Sequence, residues 1–337
     1  MTRITLKQAS EWAEQALARA GANPEMARAT AQGLVMAEAQ GLASHGLSRL
    51  PQYTTHLRNG RAFGGAVPKV TKRKGAALVV DARCGLAYGA CRLAVQEGMA
   101  VARELGVCVV GVINSHHCGV VVDHLRPAAK AGFVALGLAN SPAAMPAAGG
   151  LRPIFGTNPI AAAFPRRDAN PLMIDLSLSE VARGKLMVAA KEGRSIPLGW
   201  ALDVRGQPTT DPKAGMGGSM LPVGAASSSK GAMLALVVEL LVTAVIGAQF
   251  GFEASSFFVD EGNQPRIGQA FVLIDPEALA GSASYLSRIE VLMSEMLQDP
   301  DVRLPGARRL SLERQAQEQG VEIPDALAEQ IRRLSSA

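Results

Sequence analysis

The chain has 337 residues, 48% of them apolar, which is enough for two domains or one large α/β unit around a substantial core. Only 4% are aromatic, and the net charge of +5 is spread along the chain apart from short clusters such as Lys72-Arg73-Lys74. This argues against base stacking or a nucleic-acid footprint and favours a small anionic partner. The four cysteines (Cys84, Cys91, Cys108, Cys118) form no CxxC, and the start Met1-Thr-Arg-Ile-Thr-Leu-Lys is too polar for a signal peptide, so a reduced, cytoplasmic protein is expected.

In chain order, Thr5-x-x-Gln8 is a capping box, and Ala9, Trp12, Ala13, Ala16 and Leu17 recur at helical spacing up to Gly21. Asn23 and Pro24 open a second helix, with Ala27, Thr30, Ala31 and Leu34 on one face, that runs out near Gly41. Ser44, His45 and Arg49 then fall at a junction between helices, and Gly60 to Pro68 reads as a linker. Beyond it, short β-like runs alternate with helices. Buried strands are expected at 77–81, 107–113, 133–138, 172–175 and 271–275, and helices at 87–105, 123–131 and 230–248. The tail, 282–298 and 310–336, returns to helix. Gly231 to Phe250 is nearly long enough to span a bilayer, but Glu239 sits near its centre and Lys230 precedes it. A charge there is costly in lipid, so a buried helix is expected and no membrane partner.

Histidine occurs only five times, yet His45 and His117 both sit among small residues, in Gly41-Leu-Ala-Ser44-His45-Gly46-Leu-Ser-Arg49 and Asn114-Ser115-His116-His117-Cys118-Gly119. Imidazole gives or takes a proton near neutral pH. With Ser44 and Arg49 close by, an acid, its orienting partner and an anion clamp can come from one stretch; the plain alternative is a helix end with a surface histidine. No GxGxxG is present, and Gly215-Met-Gly217-Gly218 lacks the third glycine at the right offset, which argues against a standard Rossmann site. There is no Walker A sequence. His116, His117, Cys118, Asp123 and His124 match no zinc spacing, so no metal is expected, and Cys118 reads as structural filler. A strand end followed by Ser-His-His-Cys-Gly reads instead as a cofactor or substrate loop at the carboxyl edge of the sheet.

Gly156-Thr157-Asn158-Pro159 is either a plain turn or a loop whose hydroxyl and amides hold a carboxylate. Asp175-Leu176-Ser177 ends a strand, where ligand contacts concentrate in open sheets. Arg183-Gly184-Lys185 offers positive charge and close backbone approach, though alone such a tripeptide is usually a solvated loop.

The ordered set Ser-His-Gly-x-x-Arg, Ser-His-His-x-Gly, Phe-Gly-Thr-Asn-Pro, Asp-Leu-Ser and Ala-Arg-Gly-Lys resembles the type-2 malate/L-lactate dehydrogenases, nearly end to end through Leu304-Pro305-Gly306-Ala307-Arg308-Arg309. That group includes ureidoglycolate, sulfolactate and diketogulonate dehydrogenases and the piperideine-2-carboxylate reductases. The resemblance implies a homodimer with a mixed-sheet, non-Rossmann NAD(P)-binding α/β domain (68–281) and a helical domain built from 1–67 with 282–337. It implies NAD(P)-dependent interconversion of a small 2-hydroxy acid and its 2-oxo acid, of sulfolactate, malate or lactate type. His45 becomes the proton donor and Ser44 its relay partner. Arg49, Thr157, Arg183 and Gly184 hold the substrate. His117, Cys118, Gly119, Val120, Val121, Asp175, Leu176, Ser177, Lys230 and the stretch Leu304, Pro305, Gly306, Ala307, Arg308, Arg309, Leu310 hold the cofactor.

Two departures bear on this. Where the family has a short Gly-Gly-x-Lys-Gly, this chain reads Gly224-Ala-Ala-Ser-Ser-Ser-Lys230-Gly231, longer and serine-rich. The imine reductases carry an acidic residue just after the position of Gly184 and a Cys-His before Ser-His-Gly; here stand Lys185 and Leu42-Ala43, which favour the hydroxy-acid branch. No acidic residue can be assigned to a ribose 2′-hydroxyl, whereas Ser227 to Lys230 and Arg308-Arg309 suit a 2′-phosphate, so the reading leans to NADP over NAD. The alternatives are an NADPH-dependent reductase of cyclic imine carboxylates and a non-catalytic cofactor-binding protein on the same fold.

Overall fold

The computed structural model describes residues 1–336. It begins with β1 (Thr2–Ile4), α1 (Leu6–Arg19), α2 (Pro24–Ala39) and α3 (Leu50–Arg58). The middle of the chain holds β2 (Lys69–Lys74), β3 (Ala77–Asp81), α4 (Ala87–Leu105), β4 (Val107–Ser115), α5 (Val121–Lys130), β5 (Val134–Ala139), β6 (Ile160–Phe164) and β7 (Leu172–Leu176). There follow α6 (Arg183–Glu192), β8 (Ala201–Leu202), α7 (Pro212–Gly217), β9 (Ser219–Met220), α8 (Lys230–Leu240) and β10 (Ile267–Ile274). The chain ends with α9 (Ser282–Met296), α10 (Ala307–Gln319), β11 (Val321–Ile323) and α11 (Asp325–Ser336).

The caps behave as their residue types dictate. Thr5 Oγ1 accepts from Gln8 N at 3.1 Å and Asn23 Oδ1 from Met26 N at 2.9 Å, each satisfying an amide that has no partner within its helix. At the other end α4 stops on Gly106, whose φ of +83° is left-handed.

Seven strands form one mixed sheet in the order β2-β3-β4-β10-β5-β6-β7. Only β3 and β4 run parallel; β10 lies antiparallel between β4 and β5, an arrangement unlike a Rossmann sheet. Neighbours on β10 point to opposite faces. Phe271 joins Leu78, Val80, Val110 and Leu125 in the core under α4 and α5, whereas Ala270 joins Met145, Leu178, Leu186, Val238 and Val242 on the other face. A third core, with Leu17, Leu34, Leu50, Tyr53 and Ile331, lies within the terminal helices. A network ties these helices to the sheet layer: Gln40 Nε2 donates to Asp123, and Arg126 bonds both Asp123 and Glu313.

Several elements differ from the sequence expectations. Lys69–Lys74 is an edge strand; it was invisible because it carries almost no apolar alternation and faces water along nearly its whole length. Ile160–Phe164 is also a strand, although its Ala-rich core has low β-propensity; it is held by pairing on both sides. Gly60 to Pro68 is no loose linker: Asn23 N donates to Gly64 O at 2.8 Å and Asn23 Nδ2 to Ala66 O at 2.8 Å. The helical stretch at 310–336 is broken at Gly320 (φ +76°), where Val321–Ile323 pairs antiparallel with Thr2–Ile4.

The helix starting at Lys230 ends at Leu240 and passes through a π-turn, Leu241–Val245. It is buried on one side only, since Met233, Val237, Leu240 and Val245 face outward. Among the described residues no helix is long and apolar enough to cross a membrane. Glu239, 2% exposed, accepts from Gly251 N and Asn158 Nδ2, both at 2.8 Å. The charge that disfavoured a membrane span thus anchors the Thr157-Asn158 turn.

Candidate active site

The turn after α2 is shaped by one carboxylate. Glu38 Oε2 accepts from Leu47 N at 2.8 Å, and a Cβ on Gly46 would lie 2.2 Å from the same oxygen, so glycine there lets the carboxylate keep that bond. Two single 3₁₀ turns result, Ala43–His45 and Leu47–Arg49. They bring Ser44, His45 and Arg49 to one rim. Ser44 Oγ lies 3.0 Å from His45 Nδ1, and Arg49 donates from Nε to Ser44 O at 2.6 Å and from Nη1 to Gln52 Oε1 at 3.0 Å. With Nδ1 paired to the Ser44 hydroxyl, which can accept from it or donate to it, His45 Nε2 is the nitrogen left to exchange a proton. Burial, then the positive charges of Arg49 and Arg309, lower the His45 pKa to about 4.

Across from this rim lies the loop after β4. The ring of His117 stacks on His45 with centroids 5.5 Å apart and planes at 28°, and its Nδ1 is 2.5 Å from Tyr53 Oη. Gly119 has φ +70°, and a Cβ there would meet the Tyr88 hydroxyl at 2.4 Å. The chain then turns into α5, whose second amide, Val122 N, donates to Asp175 Oδ2 at 3.1 Å. Burial raises Asp175 to about 6 despite that bond and the nearby Arg309.

Much of the sequence-derived site converges here. His45, His117, Cys118, Gly119, Val120, Val121, Thr157, Asp175, Ser177 and Arg309 line one cavity of 180 Å³. Ser44, Arg49 and Gly184 open onto a neighbouring cleft of 1280 Å³. Arg183-Gly184-Lys185 is not a solvated loop but the first turn of α6, and a Cβ on Gly184 would touch Ser44 Cβ at 3.8 Å. Arg183, Lys230, Leu176, Leu304, Pro305, Gly306, Ala307, Arg308 and Leu310 line neither cavity. Lys230 is exposed at the start of α8, and Gly306 (φ +86°), where a Cβ would lie 3.2 Å from Met173 on β7, leads the chain to Arg309.

The donor set fits a phosphorylated dinucleotide. Arg309 Nη1 is buried without a hydrogen-bond partner, 3.8 Å from Asp175 Oδ2, beside the first turn of α5. An unsatisfied guanidinium donor and a helix N-terminus together suit an anionic group.

Other members of this cluster gave no signal in sequence. His56 Nδ1 lies 3.0 Å from His116 Nε2, and Arg61, 1% exposed, puts Nη1 3.0 Å from His56 Nε2. Arg61 also donates to the carbonyls of Ser255 (3.1 Å), Val259 and Asn263 (3.2 Å). The segment it grips carries Phe257, packed on His116 and His117, and Phe258, whose ring lies under the guanidinium groups of Arg49 and Arg183. These partners are some 200 residues apart in the chain, so no local spacing could reveal them.

Comparison with known proteins agrees with this architecture. The family model described as malate/L-lactate dehydrogenase matches residues 4–332. The (2R)-3-sulfolactate dehydrogenase (NADP(+)) of Chromohalobacter salexigens is 47% identical over 98% of this chain and 97% of its own. A Delta(1)-pyrroline-2-carboxylate/Delta(1)-piperideine-2-carboxylate reductase of Pseudomonas putida is 35% identical over 91% of this chain and 89% of its own. Among solved structures, the delta1-piperideine-2-carboxylate reductase of Pseudomonas syringae pvar. tomato superposes with a TM-score of 0.92 at 33% identity, covering 99% of this chain and 100% of that one. The chain belongs to the malate/L-lactate dehydrogenase family.

Proposed function

We propose that this protein is an NADP-dependent dehydrogenase that interconverts a small 2-hydroxy acid and its 2-oxo acid, with a sulfolactate-type substrate ahead of malate and lactate. The carrying observation is the Ser44–His45–Arg49 rim, with Nδ1 of His45 held at 3.0 Å by Ser44 and a guanidinium beside it, facing the His117–Val121 loop. The NADP(+)-linked sulfolactate dehydrogenase at 47% identity supports both the substrate and the cofactor.

A bound nicotinamide supplies or accepts the hydride. His45 Nε2 delivers the proton that quenches charge on the carbonyl oxygen, and in the reverse direction removes it from the hydroxyl. Ser44 fixes the ring, while Arg49, Arg183, Thr157 and Gly184 hold the acid with C2 toward the cofactor. His117 to Val121, Asp175 to Ser177, Arg309 with its flanking 304–310 stretch, and Lys230 hold the dinucleotide.

The working form proposed is a cytoplasmic homodimer. The outward apolar face of α8 suits a second copy, and four free thiols suit a reducing compartment. Each protomer is divided into a helical unit (1–67 with 282–337) and the α/β unit (68–281). The test is NADPH and NADH oxidation with sulfopyruvate, oxaloacetate, pyruvate and piperideine-2-carboxylate. Turnover of a 2-oxo acid with higher kcat/KM for NADPH is expected. Turnover of the cyclic imine alone would replace this reading with that of an imine reductase, and no turnover at all would leave a binding protein.

A further inference from the structure

Arg49 and Arg183 come from different parts of the chain, yet their guanidinium carbons stand 4.9 and 5.1 Å from the centroid of one ring, that of Phe258. The two are therefore no more than about 10 Å apart, close enough for like charges to repel unless something compensates. Among the described residues neither has a carboxylate within ion-pair distance, unlike Arg126 and Arg166, which do. Their hydrogen bonds go to Ser44 O and Gln52 for Arg49 and to Met216 O for Arg183, which leaves donors on both forks free. The aromatic face is the one group shared by both cations. The segment that carries it is anchored, since Arg61 holds 255–263 through three carbonyls.

We infer that Phe258 is a specificity-determining residue: it holds Arg49 and Arg183 as a matched pair, so that the site selects a 2-oxo acid bearing a second anionic group. This rests on the dehydrogenase reading and adds to it the residue that makes the second anion count. One fork takes the carboxylate next to the reacting carbon and the other a sulfonate or second carboxylate, each at the usual ~2.8 Å between heavy atoms. A three- or four-carbon dianion spans that gap, whereas a monoanion leaves one guanidinium unpaired, which is where discrimination arises.

Trp200 lines the same cleft as Arg49 and Phe258 and supplies a binding signal independent of turnover. Enzyme saturated with NADP+, which cannot turn over an oxo acid, is titrated with 3-sulfopyruvate and with pyruvate while Trp fluorescence is followed. Wild type should bind the dianion at least about tenfold more tightly. Phe258→Ala should lower that preference about tenfold, and Phe258→Tyr, which keeps the aromatic face, should retain it. No dianion preference in wild type, or an undiminished preference in Phe258→Ala, would overturn the inference. Tight sulfopyruvate binding without turnover by NADPH or NADH would instead sink the dehydrogenase reading and leave the paired-cation site standing.

Discussion

Two histidine pairs lie side by side in this molecule, and each takes one ring from the N-terminal helices and one from the loop after β4. His45 stacks on His117 at the edge of a cavity, with its Nε2 uncommitted. His56 and His116 are fully buried, joined at 3.0 Å. Arg61 Nη1 and the Val259 carbonyl both stand 3.0 Å from His56 Nε2, while His56 Nδ1 lies against His116 Nε2, so both ring nitrogens of His56 are engaged by the protein. One pair keeps a ring nitrogen free beside solvent-accessible space; the other spends both nitrogens of His56 on holding the chain. Adjacent residues, His116 and His117, therefore differ in role because of what surrounds them and not because of the motif they share.

The widest separation between the pairs should appear on mutation. His45→Ala is expected to lower kcat by about 10²–10⁴-fold while cofactor affinity stays near wild type, because its proton transfer belongs to the transition state. His56→Ala should instead cost about 1–3 kcal/mol of stability, by leaving its buried polar neighbours unpaired, with a far smaller effect on kcat. Steady-state kinetics beside denaturant unfolding would check both. A kcat unchanged in His45→Ala would return that residue to the plain helix-end reading.

How much of this was legible in the sequence follows from the same contrast. Ser44, His45 and Arg49 were readable because they lie within one turn, where spacing alone brings them together. The strands rich in Val and Ile were readable, whereas Lys69–Lys74 and Ile160–Phe164 were not, because partner strands rather than their own residue pattern hold them. Tyr53, His56, Arg61, Phe257 and Phe258 were not singled out. Their roles arise from contacts across the chain, and a buried arginine answered by backbone carbonyls leaves no trace in composition. The family resemblance points to Lys230, Arg308 and Arg309 alike; the fold leaves the first two exposed and half-buries Arg309 beside Asp175.

A smaller effect is expected at the clamp. Arg49→Lys should raise KM for the oxo acid about tenfold, since a point charge replaces a planar fork that stacks on Phe258 and pairs bidentately. Cofactor KM should move little. A change confined to the cofactor would assign Arg49 to the dinucleotide and break the division between the two rims of the cleft.

The subtlest difference concerns where His45 titrates. Its pKa is lowered to about 4 by burial, Arg49 and Arg309, so in the free enzyme the ring is neutral at pH 7 and set to accept a proton from the hydroxy acid. In the reductive direction the protonated ring is the donor, so kcat/KM should fall about tenfold per pH unit once pH exceeds the free-enzyme pKa. A bound carboxylate offsets the charge of Arg49, which is one of the causes that hold the pKa down. The pKa governing kcat, which belongs to the substrate complex, should therefore lie above the one governing kcat/KM. Parallel pH profiles of the two constants measure that gap. Coincident pKa values would mean that the substrate anion does not settle beside Arg49, whereas a gap that closes in Arg49→Lys would tie the clamp and the acid into one device.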